Sequence, residues 1–512
     1  MAKKSSTFQI PERFLRQLWK SRQFETSSLY TADGKPVELI STGTQNTDGG
    51  PDFNDAKIRI GGIVYRGDVE LHKDLKEWKD HAHHLDPKYN SVILHVVLRG
   101  NPLDLPQTTK SKRVIPVLIL EKYLAAPYHS LWEKMILGER AERLDSIKCF
   151  SVNERVESPL MKSWLSKLAV ERIELKVLRH EDGLKELVND RRLSVQEPVS
   201  QYIEIPFGVN PEDLPPPGPT FTARDFARRT LWQQLLYEGI MEALGYSKNQ
   251  APFQKLAKNL SLFVIGECLA DGSHENEIHE LEAMLFGAAG LIPQKIKLAD
   301  PDSSEYAARL RKTWGKFQQR YRGAILNEAE WQFFRLRPEN FPTVRIAGAA
   351  RIIRKILHEN LFKTVIQTVK ETELSGKEKL AKLESYLMVP AEGIWSTRYT
   401  FEGKANATIG NFIGKKRAEE IIVNVIAPIC FLYARIFKDK EVRQGMLDVL
   451  GNCPPLSDNT VTRTIDEQLL KSKLQLNSAM LQQGALQLYK FYCIEERCAD
   501  CAVGKVVFEG KA

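Results

Sequence analysis

The chain has 512 residues, 43% of them hydrophobic and 27% charged, an ordinary globular composition at a length that usually holds two or more domains. That composition excludes a disordered chain, a collagen-like repeat and a disulfide-stapled miniprotein. Lysine and arginine number 73 against 65 acidic residues, a net charge of +8, which permits a polyanionic partner without demanding one.

In chain order, Met1–Arg13 is polar and lacks an apolar signal core, so the expected location is cytoplasmic, away from membranes. Pro11–Lys20 places Phe14, Leu15, Leu18 and Trp19 at helical spacing. Val37–Ile40, Ala56–Ile60 and Ile63–His72 read as strands, and Gly61-Gly62 reads as a two-residue hairpin turn. Lys76–Asn90 is polar and partly helical, and Val92–Leu98 is a β-branched run of the kind buried on both sheet faces. The order is α, β, β, β, α, β.

Beyond about residue 120 the spacing turns helical: Leu131–Leu144, Leu160–Asn189, Ala223–Leu244, Glu277–Leu285, Ser304–Tyr321, Ala347–Val369 and Ala418–Lys438. Five prolines between Asn210 and Thr220 mark an exposed loop. The apolar run Ile421–Phe437 contains Asn424, Pro428 and Arg435 and reads as a buried helix too short and polar to span a bilayer. The predicted class is α+β, with a mixed-sheet domain over 1–118, a mostly helical domain over 119–490 with its Pro-rich loop at 210–220, and a cysteine-containing segment over 491–512.

The densest chemistry lies in Gly50-Pro51-Asp52-Phe53 and Asp68-Val69-Glu70-Leu71-His72. Alternate residues of a strand share a face, so Asp68, Glu70 and His72 point together while Val69 and Leu71 face the core. Carboxylates beside a nitrogen base suit a hard divalent cation and an oriented water. With Ile60 opposite Ile63, a regular ladder places Asp52 against Leu71. A bulge between Pro51 and Asn54 returns it towards Glu70, and without one Asp55, opposite Asp68, is the substitute. Solvent-facing charges on an edge hairpin are the plainer alternative.

This pattern resembles the P-D…(D/E)-x-K nucleases of restriction-endonuclease-like fold. Asp52 matches the motif's Asp and Glu70 its acid, and His72 stands where lysine is usual. The resemblance implies a Mg²⁺ or Mn²⁺ site on Asp52 and Glu70, with Asp68 as a further ligand and His72 orienting water. Glu12 or Glu38 is the candidate for an additional acid. Five of the ten histidines, His72, His81, His83, His84 and His95, fall between residues 72 and 95. The run from His81 to Asp86 raises a second possibility, a zinc-dependent hydrolase. His95, inside the apolar strand, reads as a core histidine.

In the helical region, Arg309–Arg322, Trp331–Arg354 and Lys415-Lys416-Arg417 mix basic residues with rings or dense charge. Arg335 and Arg337, in a loop set by Pro338 and Pro342, join Lys415, Lys416 and Arg417 as candidate contacts to DNA or RNA. Ordinary solvated helix faces explain the same composition. Cys493, Cys498 and Cys501 carry spacing compatible with Zn²⁺ or an iron–sulfur cluster, with Cys453 the candidate fourth ligand.

From end to end the chain is similar to a bacterial family designated domain of unknown function 2851. The likeness lies in Phe14-Leu15 with Trp19, Gly50–Phe53, Val69–His72, the His81–Asp86 cluster with Tyr89, Gly245-Tyr246 with Asn249, Arg337–Pro342, and Gln483-Gly484. It implies that Glu70 with His72 is the normal form of the motif. The functional expectation is a metal-dependent nuclease. The alternatives are a nucleic-acid-binding or scaffold protein without catalysis, and the zinc hydrolase.

Overall fold

The computed structural model describes residues 12–46, 50–100, 106–124, 131, 146–195, 221–269, 276–295, 297–405, 408–457 and 459–509. The Pro-rich 210–220 stretch, residues 132–144 of the expected Leu131–Leu144 helix and the Glu12 side chain lie outside the described residues. The chain divides into two compact units, Met1–Asp145 and Ser146–Ala512.

The first unit opens with α1 (Glu12–Ser21), whose Phe14, Leu15, Leu18 and Trp19 are fully buried, as their helical spacing predicts. Strands β1 (Leu29–Tyr30), β2 (Pro36–Ser41), β3 (Thr44–Gln45), β4 (Phe53–Ile60), β5 (Ile63–Asp74) and β6 (Val92–Arg99) follow. A small hairpin of β7 (Gln107–Thr108) and β8 (Val114–Ile115) precedes β9 (Val117–Ile119). One sheet runs β1-β2-β4-β5-β6-β9, with β3 also pairing β4. Its first part is an antiparallel meander, and β5, β6 and β9 are parallel to one another.

Each strand forms for a reason visible in its residues. Gly61 and Gly62 have φ of 57° and 88°, the left-handed pair that a tight hairpin turn needs and glycine adopts without steric cost. The turn places Ile60 opposite Ile63. β6 is buried from Val92 to Leu98, as a strand with parallel neighbours on both sides and covered faces should be. Short α2 (Glu77–Asp80) lies in the crossover from β5 to β6 and buries Trp78.

A bulge is present, one step further along than the expected Pro51–Asn54. The β4–β5 register shifts between Phe53 and Ala56, so that Phe53 pairs with Val69. Asp55 absorbs the extra residue with φ of 59°, a left-handed conformation that aspartate tolerates better than most residues. Its carboxylate is held by Arg66, and its amide donates to Asp68 Oδ1 at 3.1 Å.

The second unit is built of helices around one large apolar core. Its longest element, α3 (Ser158–Val195), extends the expected Leu160–Asn189 helix at both ends. Helices Arg229–Leu244, Glu277–Ala288 and Pro301–Gln318 occupy the other predicted stretches. The expected Ala347–Val369 helix is two helices, Pro342–His358 and Leu361–Lys370, because Asn360 between them is left-handed with φ of 51°. The apolar run is longer than its interrupting residues suggest. A continuous helix covers Lys415–Phe437, long and apolar enough by length and composition to cross a membrane, yet 67% of its most apolar window is buried inside the protein. A π-turn over Ile422–Ile426 precedes Pro428 and lets the helix accommodate the missing amide.

Several residues that carry the family resemblance brace this unit. Asn249 exchanges two hydrogen bonds with the Gln332 backbone, at 2.8 and 2.9 Å. Tyr246 receives a bond from Arg345 Nη2 at 2.8 Å and lies under the Arg417 guanidinium, 3.1 Å from the ring centre. Gln483 accepts from Arg172 and Lys176 of α3.

Candidate metal centre

The bulge determines the site. It moves Asp52 back by one residue, and the Asp52 amide donates to Glu70 Oε2 at 2.9 Å. The Asp52 carboxylate accepts from the Leu71 amide at 3.1 Å through Oδ2 and pairs with Arg16 Nε at 2.7 Å through Oδ1. Glu70 and His72 project together from β5, as their i, i+2 spacing requires. Glu70 Oε2 is thus directed at Asp52, and Oε1 lies 3.5 Å from His72 Nε2 and 3.3 Å from His83 Nε2.

Two further imidazoles reach the same point. His72 Nε2 is 3.2 Å from His81 Nδ1 and 3.2 Å from His83 Nε2. Between these last two histidines, Ala82 has φ of 58° and ψ of 25°, an unusual conformation for a residue with a Cβ. It turns the chain so that residues two apart on a tight turn converge. His83 stacks on Tyr89 with ring centres 3.8 Å apart, and buried Trp78 stands edge-on to His72 and His83. Trp78 is itself anchored by a bond to the Thr108 carbonyl at 3.0 Å. The ligand atoms of His72, His81 and His83 all lie within 4.8 Å of one another, and Glu70 Oε1 approaches two of the three.

The surroundings keep His72 and His95 neutral. His72 is lowered to about 2, first by burial and then by His95, His83 and His81. His95 is lowered to about 3, again by burial first and then by His83. His72 Nδ1 is 2.9 Å from His95 Nε2. If the His72 Nε2 lone pair faces the cluster, Nδ1 carries the proton and donates to His95, which then carries its own proton on Nδ1.

The remaining sequence-predicted residues are elsewhere or otherwise engaged. Asp68 accepts from the Asp55 amide and from Ser91 Oγ, bracing the bulge against the start of β6. Asp86 caps a short turn by accepting from the Lys88 amide at 2.9 Å, and so is not one of the converging groups. Glu38 is exposed and paired with Arg59. His95 is the histidine read as a core residue; it is fully buried and is also the partner of His72. Arg16, on α1, was not singled out by sequence, although a charged residue among buried helix positions was a usable signal.

In the second unit, Arg335, Arg337, Lys415 and Lys416 are exposed, and Lys415 Nζ is 3.3 Å from Glu384. Arg417 is committed inward: besides stacking on Tyr246 it bonds the Ala243 carbonyl at 3.1 Å and Glu420 at 2.6 Å. Its side chain is 10% exposed, so it does not present a phosphate contact. Arg351 and Arg354, from the Trp331–Arg354 stretch, line a cavity of about 690 Å³ with Glu277, Glu282, Arg398 and Trp395. There Arg351 pairs with Glu282 and Glu392, and Arg354 with Glu277. Cys453 is fully buried beside Glu419 and Glu384. Cys493, Cys498 and Cys501 line a different small cavity, together with Cys149.

The chain belongs to the protein family of unknown function DUF2851, whose model matches residues 12–210 and 225–459. No curated protein and no solved structure matches it.

Proposed function

We propose that the protein is a metal-dependent nuclease whose ion is held by His72, His81, His83 and Glu70. One observation carries this reading. Bonds of about 2.0–2.1 Å to nitrogen or oxygen in a tetrahedral site set ligand atoms about 3.3 Å apart. Four of the six separations in such a set are 3.2 Å (His72–His81), 3.2 Å (His72–His83), 3.3 Å (His83–Glu70) and 3.5 Å (His72–Glu70), and the His81 and His83 nitrogens lie within 4.8 Å of each other. Three imidazoles with one carboxylate favour Zn²⁺ or Mn²⁺ over Mg²⁺, which prefers oxygen.

An ion there would supply a Lewis acid and, by taking a water as a fifth ligand beside the four side chains, a water of lowered pKa. The chain supplies everything else. His95 fixes the His72 ring by accepting its Nδ1 proton, the second-partner arrangement that orients ligating histidines. The Asp52 amide aims Glu70, and Arg16 balances the charge of Asp52. His81 is exposed, which leaves an approach for substrate on its side. Asp52 acts as a support for Glu70, so the proposed ligand set departs from the two-carboxylate form that the motif implies.

Support for phosphodiester substrates comes from topology. Asp52 directly precedes β4, Glu70 and His72 lie on β5, and the parallel crossover strand β6 follows, which is compatible with the order that the resemblance implies, with the short strands β1 and β3 additional to it. Purified protein loaded with Zn²⁺, Mn²⁺ or Mg²⁺ is assayed on single- and double-stranded DNA and RNA. The expected result is cleavage with Zn²⁺ or Mn²⁺, abolished in His72→Ala and Glu70→Gln and reduced but present in Asp52→Asn. Metal bound at one ion per chain with no cleavage of any of the four substrates would sink the nuclease assignment while keeping the centre.

A further inference from the structure

Four cysteines distant in sequence meet in the second unit. Cys149 follows the start of the unit, and Cys493, Cys498 and Cys501 lie more than three hundred residues later. All four line one small cavity with Lys148, Tyr492, Arg497 and Gly504. The seven cysteines of the chain are all thiols. Cys268, Cys430 and Cys453 lie in the apolar core, away from this group.

The backbone around the cavity is built to hold it. Cys149 lies in a turn closed by the Val152 amide on its own carbonyl at 3.1 Å. That segment is tied down by the Ile147 amide on Gln468 and by Lys471 on the Phe150 carbonyl, each at 2.8 Å. Cys493 ends a π-turn, Tyr489–Cys493, and Glu496 then adopts φ of 49° to reverse the chain. The Cys501 amide returns to the Cys498 carbonyl at 3.2 Å. Gly504 fits because a Cβ there would stand 2.1 Å from the Cys498 carbonyl oxygen. The Val503 and Gly504 amides donate to the Cys501 sulfur, the kind of contact that stabilises a thiolate ligand.

We infer that Cys149, Cys493, Cys498 and Cys501 are the four protein ligands of one iron–sulfur cluster. Four thiolates also suit a single zinc ion, but zinc at about 2.3 Å from each sulfur would draw them to about 3.8 Å apart. Among the described residues, no three cysteine sulfurs come within 4.8 Å of one another. They line a cavity of about 20 Å³ without converging on a point, the arrangement that several irons bridged by sulfide require and a single ion does not, and seating such a group turns the four side chains outward. Lys148 and Arg497 also line the cavity, each paired with a neighbouring acid, Glu496 and Asp500. Burial, reinforced by Cys501 and Cys498, raises the Cys149 thiol to about 11. Cluster binding therefore displaces protons from these thiols rather than meeting thiolates already formed.

The test uses the full chain, produced with iron and cysteine in excess and purified without oxygen. Iron and acid-labile sulfide are expected in equal amounts, at about two or about four of each per chain, with an electron-paramagnetic signal on reduction by dithionite. Cys149→Ser and Cys501→Ser lower both by on the order of tenfold, whereas Cys430→Ser retains them. The proposal is overturned by zinc at one ion per chain without sulfide, by a Cys498–Cys501 disulfide in the purified protein, or by iron unaffected in Cys149→Ser. The wild-type stoichiometry and spectrum decide the matter even where a serine variant fails to fold.

Discussion

In the N-terminal unit the proposed ligand atoms ride on a central strand and an adjoining turn, and four of their six separations are 3.2 to 3.5 Å. In the C-terminal unit four sulfurs come from a turn near residue 149 and a folded-back segment after residue 489, and stand around a cavity. The first arrangement is dictated mostly by local geometry, since a strand's alternation and one left-handed turn suffice to converge Glu70, His72, His81 and His83. The second depends on the helical fold closing a loop of over three hundred residues. The two sites therefore differ in which perturbations reach them. A change in one imidazole should empty the first while leaving the second filled, and loss of helical packing should do the reverse.

The largest effect expected on this contrast is that of His83→Ala. It removes a ligand and opens a gap beside Tyr89, and zinc affinity measured by competition with a chromophoric chelator should fall by more than roughly a hundredfold. Iron and sulfide at the cysteines should be unchanged in the same sample. If zinc affinity stays within a factor of about three of wild type, the histidine cluster is a packed surface feature.

A smaller loss is expected from the residue behind the ligands. His95→Phe keeps a ring in the buried strand position but removes the acceptor for His72 Nδ1. Partners of this kind contribute about 10- to 100-fold to metal affinity, so the expected decrease lies in that range, with nuclease activity at saturating metal partly restored. His95→Gln, which can still accept, should recover most of the affinity. Equal loss in both variants would mean that ring packing alone matters at this position.

How much of this could be read from the residues differs between the two sites for the same physical reason. Strands β2, β4, β5 and β6, the hairpin turn at Gly61-Gly62 and the shared face of Glu70 and His72 follow from short-range alternation, whereas the short strands β1, β3, β7, β8 and β9 carry too few residues to show it. Even the bulge was foreshadowed, because Pro51 cannot join a regular ladder and a regular register would have misaligned Asp52. What did not follow was the exchange of roles. Asp52 and Asp68, read as ligands from the motif, are also hydrogen-bond acceptors for Leu71, Asp55 and Ser91 amide or hydroxyl groups, contacts that the motif does not signal. Arg417 looks exposed in a basic run but lies at the one position of Lys415-Lys416-Arg417 whose side chain reaches inward to Tyr246. Cys149 carried no local signal at all, since its proximity to Cys501 arises only when the first and last segments of the helical unit pack together.

The smallest predicted effect is the most specific. Ala82 is held at φ of 58° between two ligands, which costs about 1 kcal/mol relative to an ordinary helical or extended conformation. Ala82→Gly removes that strain but adds about 0.5–1 kcal/mol of unfolded-chain entropy, so the net change in the urea midpoint should be close to zero. Zinc affinity should remain within about twofold of wild type, because the turn is retained. Ala82→Val has no such escape: a β-branched side chain resists the left-handed region, so the turn opens and His81 and His83 separate. Zinc affinity should then fall by about tenfold or more while the iron content of the other unit stays constant. A valine variant that binds zinc as tightly as wild type would show that convergence of the two histidines does not depend on this turn, and the local account of the first site would fail at its hinge.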